Sequence, residues 1–313
     1  MRVIRSWQSA DLTGVVLTIG NFDGVHRGHQ AILAAGRRRA DTAKSQLVAM
    51  TFDPHPLAIL TPGYIPPTLT PIDEKLRLLR EAGADQAVVV RSCPEFLGMS
   101  ADEFIREVIV NHFHPVAMVE GANFGFGHKR QGDVRTLTAG GARHGFEVEV
   151  VQQVRAALSG HPDAVISSSL IRQLLTSGAV EQAALCLGRP YTLVGRVGRG
   201  KRRGRTLGYP TANIDIAHQL VPGEGVYAGT AYLETEHFAT AVSIGRNTTF
   251  EGRDLTVEAH LLGFEGDLYD RPVRIDLIEW IRPQQQFRSA DELSAQIAKD
   301  LGQIVRIIAE SGS

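Results

Sequence analysis

The first half of the chain alternates short apolar runs with stretches that have helical periodicity. The apolar runs predict β-strands at 15–19, 46–52, 86–90 and 115–119, and the periodic stretches predict helices at 30–40, 72–82 and 101–111. Strands that alternate with helices are typical of an α/β fold with a Rossmann-like parallel sheet whose faces are covered. Ligands of such sheets bind at the carboxyl ends of strands. The loops after Ile19, Phe52 and Val119 are therefore the first places to look for a site.

The pattern changes after Gly188-Arg189-Pro190. Short β-rich runs at 191–197, 225–233, 238–244, 255–264 and 273–281 are separated by glycines and turn residues. This spacing predicts a small antiparallel barrel or sandwich, of which we expect the β-barrel. A helix is expected at 289–309, with Ser289 as its N-cap. We expect two domains, at 1–186 and 187–313.

Composition narrows the functional classes. Of the 313 residues, 43% are hydrophobic and 21% are charged, as in an ordinary globular protein, and no apolar stretch reaches the ~20 residues of a membrane span. The N-terminus lacks a signal-peptide pattern, so we expect a cytoplasmic protein with no membrane partner. A net charge of −1 argues against a nucleic-acid partner, and no pattern calls for an oligomer. The two cysteines have no metal-ligand spacing.

A glycine-rich motif, GNFDGVHRGH at 20–29, follows the first of these strands and opens a helix. Its glycines let the backbone approach a ligand, and the helix N-terminus attracts phosphate. His26 and His29 are three residues apart, so they lie on one helix face and can stabilise charge that develops at a phosphorus atom. We take these two histidines as candidate catalytic residues. The candidate phosphate-binding residues around them are Gly20, Asn21, Phe22, Asp23, Gly24 and Gly28.

This motif resembles that of the prokaryotic FAD synthetases, which belong to the H-x-G-H nucleotidylyltransferase superfamily. Three further segments match that family in order: TFDPHP at 51–56, GANFGFG at 121–127 and ISSSLIR at 166–172. The resemblance implies transfer of AMP from ATP to FMN, with Asn123, Ser167, Ser168 and Arg172 near the phosphates or the flavin. The family often carries arginine where this chain has Gly125, and threonine where it has Ser169. The first difference removes one phosphate contact.

A basic, glycine-rich run at 195–205 precedes a second motif. It resembles the start of a P-loop, but Arg202 stands where a P-loop has Ser or Thr, so we reject that interpretation. Alone, the run is typical of a solvated loop or an RNA-binding patch. The PTAN sequence at 210–213, however, resembles the signature of riboflavin kinases. That resemblance implies that Thr211 and Asn213 bind Mg²⁺ with ATP. The candidate ATP- and flavin-binding residues are Gly195, Gly200, Lys201, Gly208 and Pro210.

Later segments resemble the same kinase family in the same order. They are GVYA at 225–228, SIGRNTTF at 243–250, VEAHLL at 257–262 and IRPQQQF at 281–287. The resemblance implies that Glu258 is the catalytic base for the 5′-hydroxyl of riboflavin and that Arg282 helps to hold ligand. Ser243 replaces an asparagine of the family pattern, and Thr248 replaces a proline.

Together the motifs indicate a bifunctional enzyme that phosphorylates riboflavin with ATP to FMN and then adenylylates FMN to FAD. Its partners would be riboflavin, FMN and ATP, with Mg²⁺ or a similar divalent cation as cofactor. Three alternatives stay open: a chain that keeps only one activity, a flavin- or RNA-binding module with a fossil site, and a tRNA synthetase. The last is disfavoured because the chain is short and has no segment like K-M-S-K-S.

Overall fold

The structure of the protein is a computed structural model that describes residues 1–61, 63, 67–198, 209–246 and 255–311. Contacts between residues divide the chain into two compact units, Met1–Ser168 and Ser169–Ser313. Each unit has its own sheet or barrel, and we describe each by itself. No helix in these described ranges is long and apolar enough to cross a membrane.

The first unit is built around a six-stranded parallel sheet. The sheet strands are β1 Arg2–Ile4, β2 Val16–Ile19, β3 Leu47–Phe52, β4 Gln86–Val90, β5 Ala117–Gly121 and β8 Glu147–Val151. Two small hairpins add β6 Gly125–Phe126 with β7 Gly132–Asp133, and β9 Arg155–Leu158 with β10 His161–Val165. The helices are α1 Arg27–Ala43, α2 Pro56–Leu60, α3 Ile72–Glu81, α4 Pro94–Leu97, α5 Ala101–Glu103 and α6 Val134–His144.

The strand order is β1-β4-β3-β2-β5-β8. All residues of β2 and β5 are buried, as expected for central parallel strands with both faces covered. After β2, the next strands of the chain, β3 and β4, lie on one side of β2, and the later strands β5 and β8 lie on its other side. The order therefore reverses between β2 and β5, and this crevice is where such sheets place their ligands.

The second unit is a closed barrel in the order β11-β12-β15-β14-β13-β16. Its strands are β11 Tyr191–Gly198, β12 Ala212–Asp215, β13 Gly225–Leu233, β14 Glu236–Arg246, β15 Leu255–Leu261 and β16 Pro272–Arg282. Helices α7 Ser168–Thr176 and α8 Val180–Leu187 precede it, and α9 Ala290–Ser311 follows it. Along β14 and β15, Val242, Ile244, Val257 and Ala259 are buried, while the residues between them reach the outer face.

The predicted fold class, a parallel α/β sheet followed by an antiparallel barrel and a helix, is confirmed. Differences are local. The helix expected at 101–111 is a single α-turn that continues as a π-helix, Phe104–Phe113, and His114 ends it in a left-handed conformation with φ 36°. Ser289 caps α9 as expected, because its hydroxyl accepts a hydrogen bond from the backbone N–H of Glu292 at 3.1 Å.

Candidate active sites

The loop between β2 and α1 holds the first motif in a tightly wound backbone. Phe22, Gly24 and Val25 have φ values of 46°, 87° and 38°, so three residues in four are left-handed. Gly28 has a different role: a Cβ there would lie 3.0 Å from Cε1 of His26. Glycine at 28 therefore lets the His26 ring fold back over the start of the helix. There the His26 side chain caps α1 by accepting a 3.4 Å hydrogen bond from the backbone N–H of His29.

The two motif histidines form a stacked pair. Their ring centroids are 3.7 Å apart with an interplanar angle of 19°, and Phe22 meets His29 edge-on at 5.2 Å. Burial lowers the pKa of His29 well below its usual value, and the neighbouring His26 and Lys75 lower it further. His29 Nδ1 is buried without a hydrogen-bond partner among the described residues. At neutral pH the ring is therefore an uncharged imidazole.

Asp23 serves the loop itself. It is 1% exposed, and its carboxylate accepts hydrogen bonds of 2.9 and 3.1 Å from the backbone N–H groups of Leu69 and Thr70. Gly24 N–H donates to the Thr70 hydroxyl at 2.7 Å. These bonds fasten the segment around 69–70 to the motif. Asp23 therefore holds the motif loop in place through backbone contacts, and the phosphate contact expected of it stays a prediction.

A cavity of about 590 Å³ opens at the carboxyl ends of β2 and β5. His29 and Asn123 line it, together with Gly20, Asn21 and Phe22. Asn21 Nδ2 and His55 Nε2 lie 3.3 Å apart across one side. The rest of the apolar lining consists of Ile19, Ile32, Phe52, Pro56, Leu57, Leu60, Phe96, Leu97, Phe104, Phe124 and Phe126. The cavity thus combines the glycine-rich motif loop with a largely apolar, aromatic-rich surface.

Two buried ionisable residues near this cavity were not identified from the sequence. Lys75 is 5% exposed, and burial lowers its pKa, with Asp23 and Asp53 opposing that effect. Glu120, which lines the cavity, is 2% exposed, and its Oε1 accepts a 2.7 Å hydrogen bond from Ile19 N–H. Burial raises the pKa of Glu120 well above its usual value, and the Ile19 bond opposes this only partly. Glu120 stands at the end of an apolar run, and its burial becomes evident only in the folded unit.

We expect Glu120→Gln to stabilise the protein at neutral and alkaline pH. The folded state holds a proton on Glu120 that the unfolded chain releases above its ordinary pKa. Stability is therefore lost as pH rises, and a neutral amide removes this loss. Thermal unfolding should show the midpoint raised by about 2–6 °C at pH 8, the shift expected for ~1–2 kcal/mol in a unit of this size, and by less at pH 5. An equal shift at both pH values would contradict a neutral carboxyl.

The remaining sequence candidates of the first motif group lie at the start of α7. The Ser168 hydroxyl, within the first unit, donates to the Asp23 carbonyl of the motif loop at 2.9 Å. The Ile166 carbonyl also lies 3.9 Å from where a Cβ of Gly28 would be. Ser167 directly precedes the helix, and Arg172 lies one turn into it, within the second unit.

The barrel brings three of the kinase candidates together. Asn213 on β12 and Ser243 on β14 both pair with Glu258 on β15, so the three side chains form a row on the outer face. The Thr211 hydroxyl, just before β12, donates to Glu258 Oε2 at 3.3 Å. His260 contacts the start of the same motif, because its Nδ1 lies 2.8 Å from the Pro210 carbonyl oxygen. The role of His260 was not identified from the sequence.

A second cavity, of about 490 Å³, lies beside this row. Its lining includes Pro210, Thr211 and Asn213 from the motif, and it adds Val197, Gly198, Ala212, Ala259, Leu261, Phe264, Gly266, Asp267, Leu268 and Tyr269. Gly195 is not part of this lining: a Cβ there would lie 2.6 Å from the Asp215 carbonyl oxygen, so it serves the packing of β11 on β12.

Arg282 is engaged within the unit. Its guanidinium bonds Asp300 of α9 through Nε at 2.9 Å and Nη2 at 2.8 Å, and the Asp300 side chain is 7% exposed. Gln284 Nε2 donates to the Ser243 hydroxyl at 2.9 Å, which ties the substituted position to the end of the barrel. Gly200, Lys201, Gly208 and Thr248 lie outside the described residues.

Known proteins match both units. A sequence model of the FAD synthetase family matches residues 8–169, and one of the riboflavin kinase family matches residues 187–308. The bifunctional riboflavin kinase/FMN adenylyltransferase of Escherichia coli K12 is 37% identical over 96% of this chain and 95% of its own length. The protein with the same name from Listeria monocytogenes is 35% identical over 91% and 90%.

A solved structure shares the fold. A crystal structure described as a macrolide-efflux protein from Streptococcus pneumoniae is 27% identical, with a TM-score of 0.87 over 96% of this chain and 97% of that one. Its name concerns that protein alone. The matches to two enzyme families and to full-length relatives are in agreement with the two motif groups described above. The chain belongs to the bifunctional riboflavin kinase/FMN adenylyltransferase family.

Proposed function

We propose that the chain catalyses two successive ATP-dependent reactions. The barrel unit phosphorylates riboflavin to FMN, and the parallel-sheet unit transfers AMP from ATP to FMN, which yields FAD and pyrophosphate. One observation carries the proposal: each unit holds its own group of chemically matched residues beside its own cavity. These groups are the stacked His26 and His29 in one unit and Thr211, Asn213 and Glu258 in the other. We place the boundary between the two functions at 186/187, where the kinase family match begins.

In the kinase reaction, Glu258 is the base. It accepts the proton of the riboflavin 5′-hydroxyl as that oxygen attacks the γ-phosphorus of ATP, and ADP leaves. The Thr211 hydroxyl, which donates to Glu258 Oε2, aligns the carboxylate. ATP occupies the cavity lined by Pro210, Thr211 and Asn213. The sequence candidates Gly200, Lys201 and Gly208 remain proposed phosphate contacts of this reaction.

A divalent cation fits the barrel site. Thr211 and Asn213 offer a hydroxyl and an amide oxygen beside the Glu258 carboxylate, and hard oxygen donors are the ligands that Mg²⁺ prefers. Within the described residues no three His, Cys, Asp or Glu side chains converge, so the protein offers few charged ligands. That suits Mg²⁺ bound largely through substrate phosphates, where it neutralises developing charge.

In the adenylyl transfer, a phosphate oxygen of FMN attacks the α-phosphorus of ATP and pyrophosphate leaves. The attacking phosphate is already a nucleophile, so the protein contributes positioning and charge stabilisation. His26 and His29 donate hydrogen bonds to the phosphates, with the loop of Gly20, Asn21, Phe22, Gly24 and Gly28 around them. Asn123 lies within the same cavity. Ser167, Ser168 and Arg172 remain proposed contacts, whereas for Asp23, Gly195 and Arg282 we propose supporting roles, given their packing.

The substrates are small molecules, and we propose a cytoplasmic location without nucleic-acid or membrane partners. Cys93 and Cys186 are both free thiols, the state that a reducing compartment maintains.

The decisive experiment separates the two reactions. The protein is incubated with riboflavin, ATP and Mg²⁺, and separately with FMN, ATP and Mg²⁺, and the flavins are resolved by chromatography. We expect FMN and FAD in the first reaction and FAD in the second. FMN alone in the first reaction would leave a kinase only. No product from a folded protein in either reaction would favour a binding module.

A further inference from the structure

Position 125 has an unusual neighbour. A Cβ on Gly125 would lie 2.8 Å from Nη2, 2.9 Å from Nε and 3.0 Å from Cζ of Arg130. These separations are too short for packed atoms, so the Arg130 guanidinium occupies the space in which a side chain at 125 would begin. The backbone of Gly125 is not left-handed, so a side chain at 125 would be opposed by this close approach, and the Arg130 guanidinium would have to move to make room for it.

The turn that carries Arg130 is firmly anchored. It joins β6 to β7, and Arg130 Nη2 donates to the Asn123 carbonyl at 3.0 Å. His128 N–H donates to the Met99 carbonyl at 2.6 Å. At Gly127, a Cβ would lie 2.8 Å from the Ala101 nitrogen, so the turn packs backbone to backbone against the start of α5. Arg130 is thereby held beside Asn123, which lines the same cavity.

The same turn contains backbone strain. Lys129 and Arg130 have φ values of 50° and 60°, and each such residue costs about 1–2 kcal/mol relative to the right-handed form. Strain of this kind persists only where the surrounding structure holds it in place, and ligand-binding sites are among the places where it occurs. Here the strained pair sits at the rim of the cavity.

The ionisable side chains at the rim of the cavity are mostly basic. His128, Lys129 and Arg130 all line the cavity, and Glu120 is the one carboxyl in its lining among the described residues. Arg130 is exposed and forms a single side-chain hydrogen bond, to Asn123, and no ion pair within the described ranges. A guanidinium has five N–H donors, so most of them remain available to a ligand with phosphate geometry.

We propose that Arg130 is a substrate-binding residue of the adenylyl-transfer site and that its guanidinium, positioned over Gly125, binds phosphoryl oxygens. The inference rests on the proposed function of this cavity. The oxygens belong either to the triphosphate of ATP or to the 5′-phosphate of FMN. Gly125 has a positioning role: because it has no side chain, the Arg130 guanidinium can lie directly over it.

The first test is Arg130→Ala in the full chain. We expect kcat/KM for FAD formation from FMN to fall by about 10- to 100-fold, the usual effect of losing hydrogen bonds to a charged group. Riboflavin phosphorylation by the same preparation should stay within twofold and reports folding. The matched control is Arg143→Ala, which removes an exposed arginine that pairs with Asp102 on the surface. FAD formation by Arg130→Ala within threefold of the unmodified protein would overturn the proposal.

A double-mutant cycle tests the link to Gly125. Gly125→Ala adds a methyl group in the guanidinium's place, so we expect a fall of roughly 3- to 10-fold, smaller than for Arg130→Ala because a long side chain can shift. In the Arg130→Ala background the same change should have no further effect, since neighbouring residues are not additive. Equal effects in both backgrounds, or none in either, would overturn the placement of the guanidinium.

Separate titrations identify the phosphate. A raised KM for ATP with an unchanged KM for FMN assigns the contact to the triphosphate, and the reverse assigns it to FMN. If both KM values are unchanged, Arg130 does not bind substrate and the proposal fails. His29→Ala distinguishes this failure from that of the site. If it removes FAD formation while Arg130→Ala does not, the site stands; if neither matters, the assignment of the cavity is wrong.

Discussion

Replacing Glu258 with alanine is expected to lower FMN formation by about 10²- to 10⁴-fold, the contribution of a general base to a proton transfer. Glu258 is the one carboxylate in the row formed with Asn213 and Ser243, and its Oε2 accepts the Thr211 hydroxyl. Without Glu258, no carboxylate remains in that row to accept the proton of the riboflavin 5′-hydroxyl. The measurement is the initial rate of FMN formation from riboflavin under saturating ATP.

Conversion of FMN to FAD by the same variant should be unchanged within twofold, because Glu258 belongs to the barrel unit. Glu258→Gln keeps the shape and still meets Thr211, so it separates the loss of the base from the loss of packing, and we expect it to be almost as inactive. Glu236→Ala, at the exposed start of β14, is the control for removing a barrel glutamate. Loss of both reactions in a folded Glu258→Ala protein would contradict the division into two sites.

His29→Ala is expected to lower FAD formation from FMN by about 10²- to 10³-fold, as when one donor to a developing negative charge is removed. The ring is half-buried and stacked on His26, with its Nδ1 atom buried, so water cannot easily replace it as a donor. The effect should appear mainly in kcat, because the charge it stabilises develops at the α-phosphorus during reaction.

The companion measurement is riboflavin phosphorylation, which should remain within twofold. His144→Ala changes an exposed histidine in the last turn of α6 and serves as the control for the substitution itself. Should His29→Ala lower FMN formation as strongly as FAD formation, His29 would be needed for the integrity of the whole chain and not for one reaction.

The fold could be predicted from the sequence because its strands have strong local patterns. The strands at 86–90 and 225–233 were predicted with the bounds that the structure shows. The order of strands and the closure of the barrel depend on pairings far apart in the chain, such as Tyr191 with Leu277, and no local pattern encodes them. The π-helix over Phe104–Phe113 likewise has no local signal that distinguishes it from an α-helix.

The candidate sites show the same limit. His26 and His29 were candidates because they stand three residues apart in one motif, and Thr211 and Glu258 were candidates because their segments resemble those of riboflavin kinases. A motif does not show which member touches ligand and which supports its neighbours. Asp23 and Arg282 have motif positions, and in the structure Asp23 accepts hydrogen bonds from backbone N–H groups while Arg282 pairs with Asp300.

Other ionisable residues lie near the site although no motif contains them. Lys75 and Glu120 differ from ordinary surface residues only because helix α3 and strand β5 place them in buried surroundings. From the sequence, Lys75 is one lysine on an amphipathic helix and Glu120 one glutamate at the end of an apolar run. Their perturbed protonation follows from burial, which is a property of the assembled unit.

The contact between Asp23 and the backbone of 69–70 has a consequence for hydrogen exchange. The amides of Leu69 and Thr70 lie outside helices and regular strands, where exchange is usually fast, yet both donate to a carboxylate that is 1% exposed. Their protons can exchange with solvent only when the motif loop itself opens. These two amides should therefore be protected like core amides, and they report the opening of the motif loop from a segment more than forty residues away in sequence.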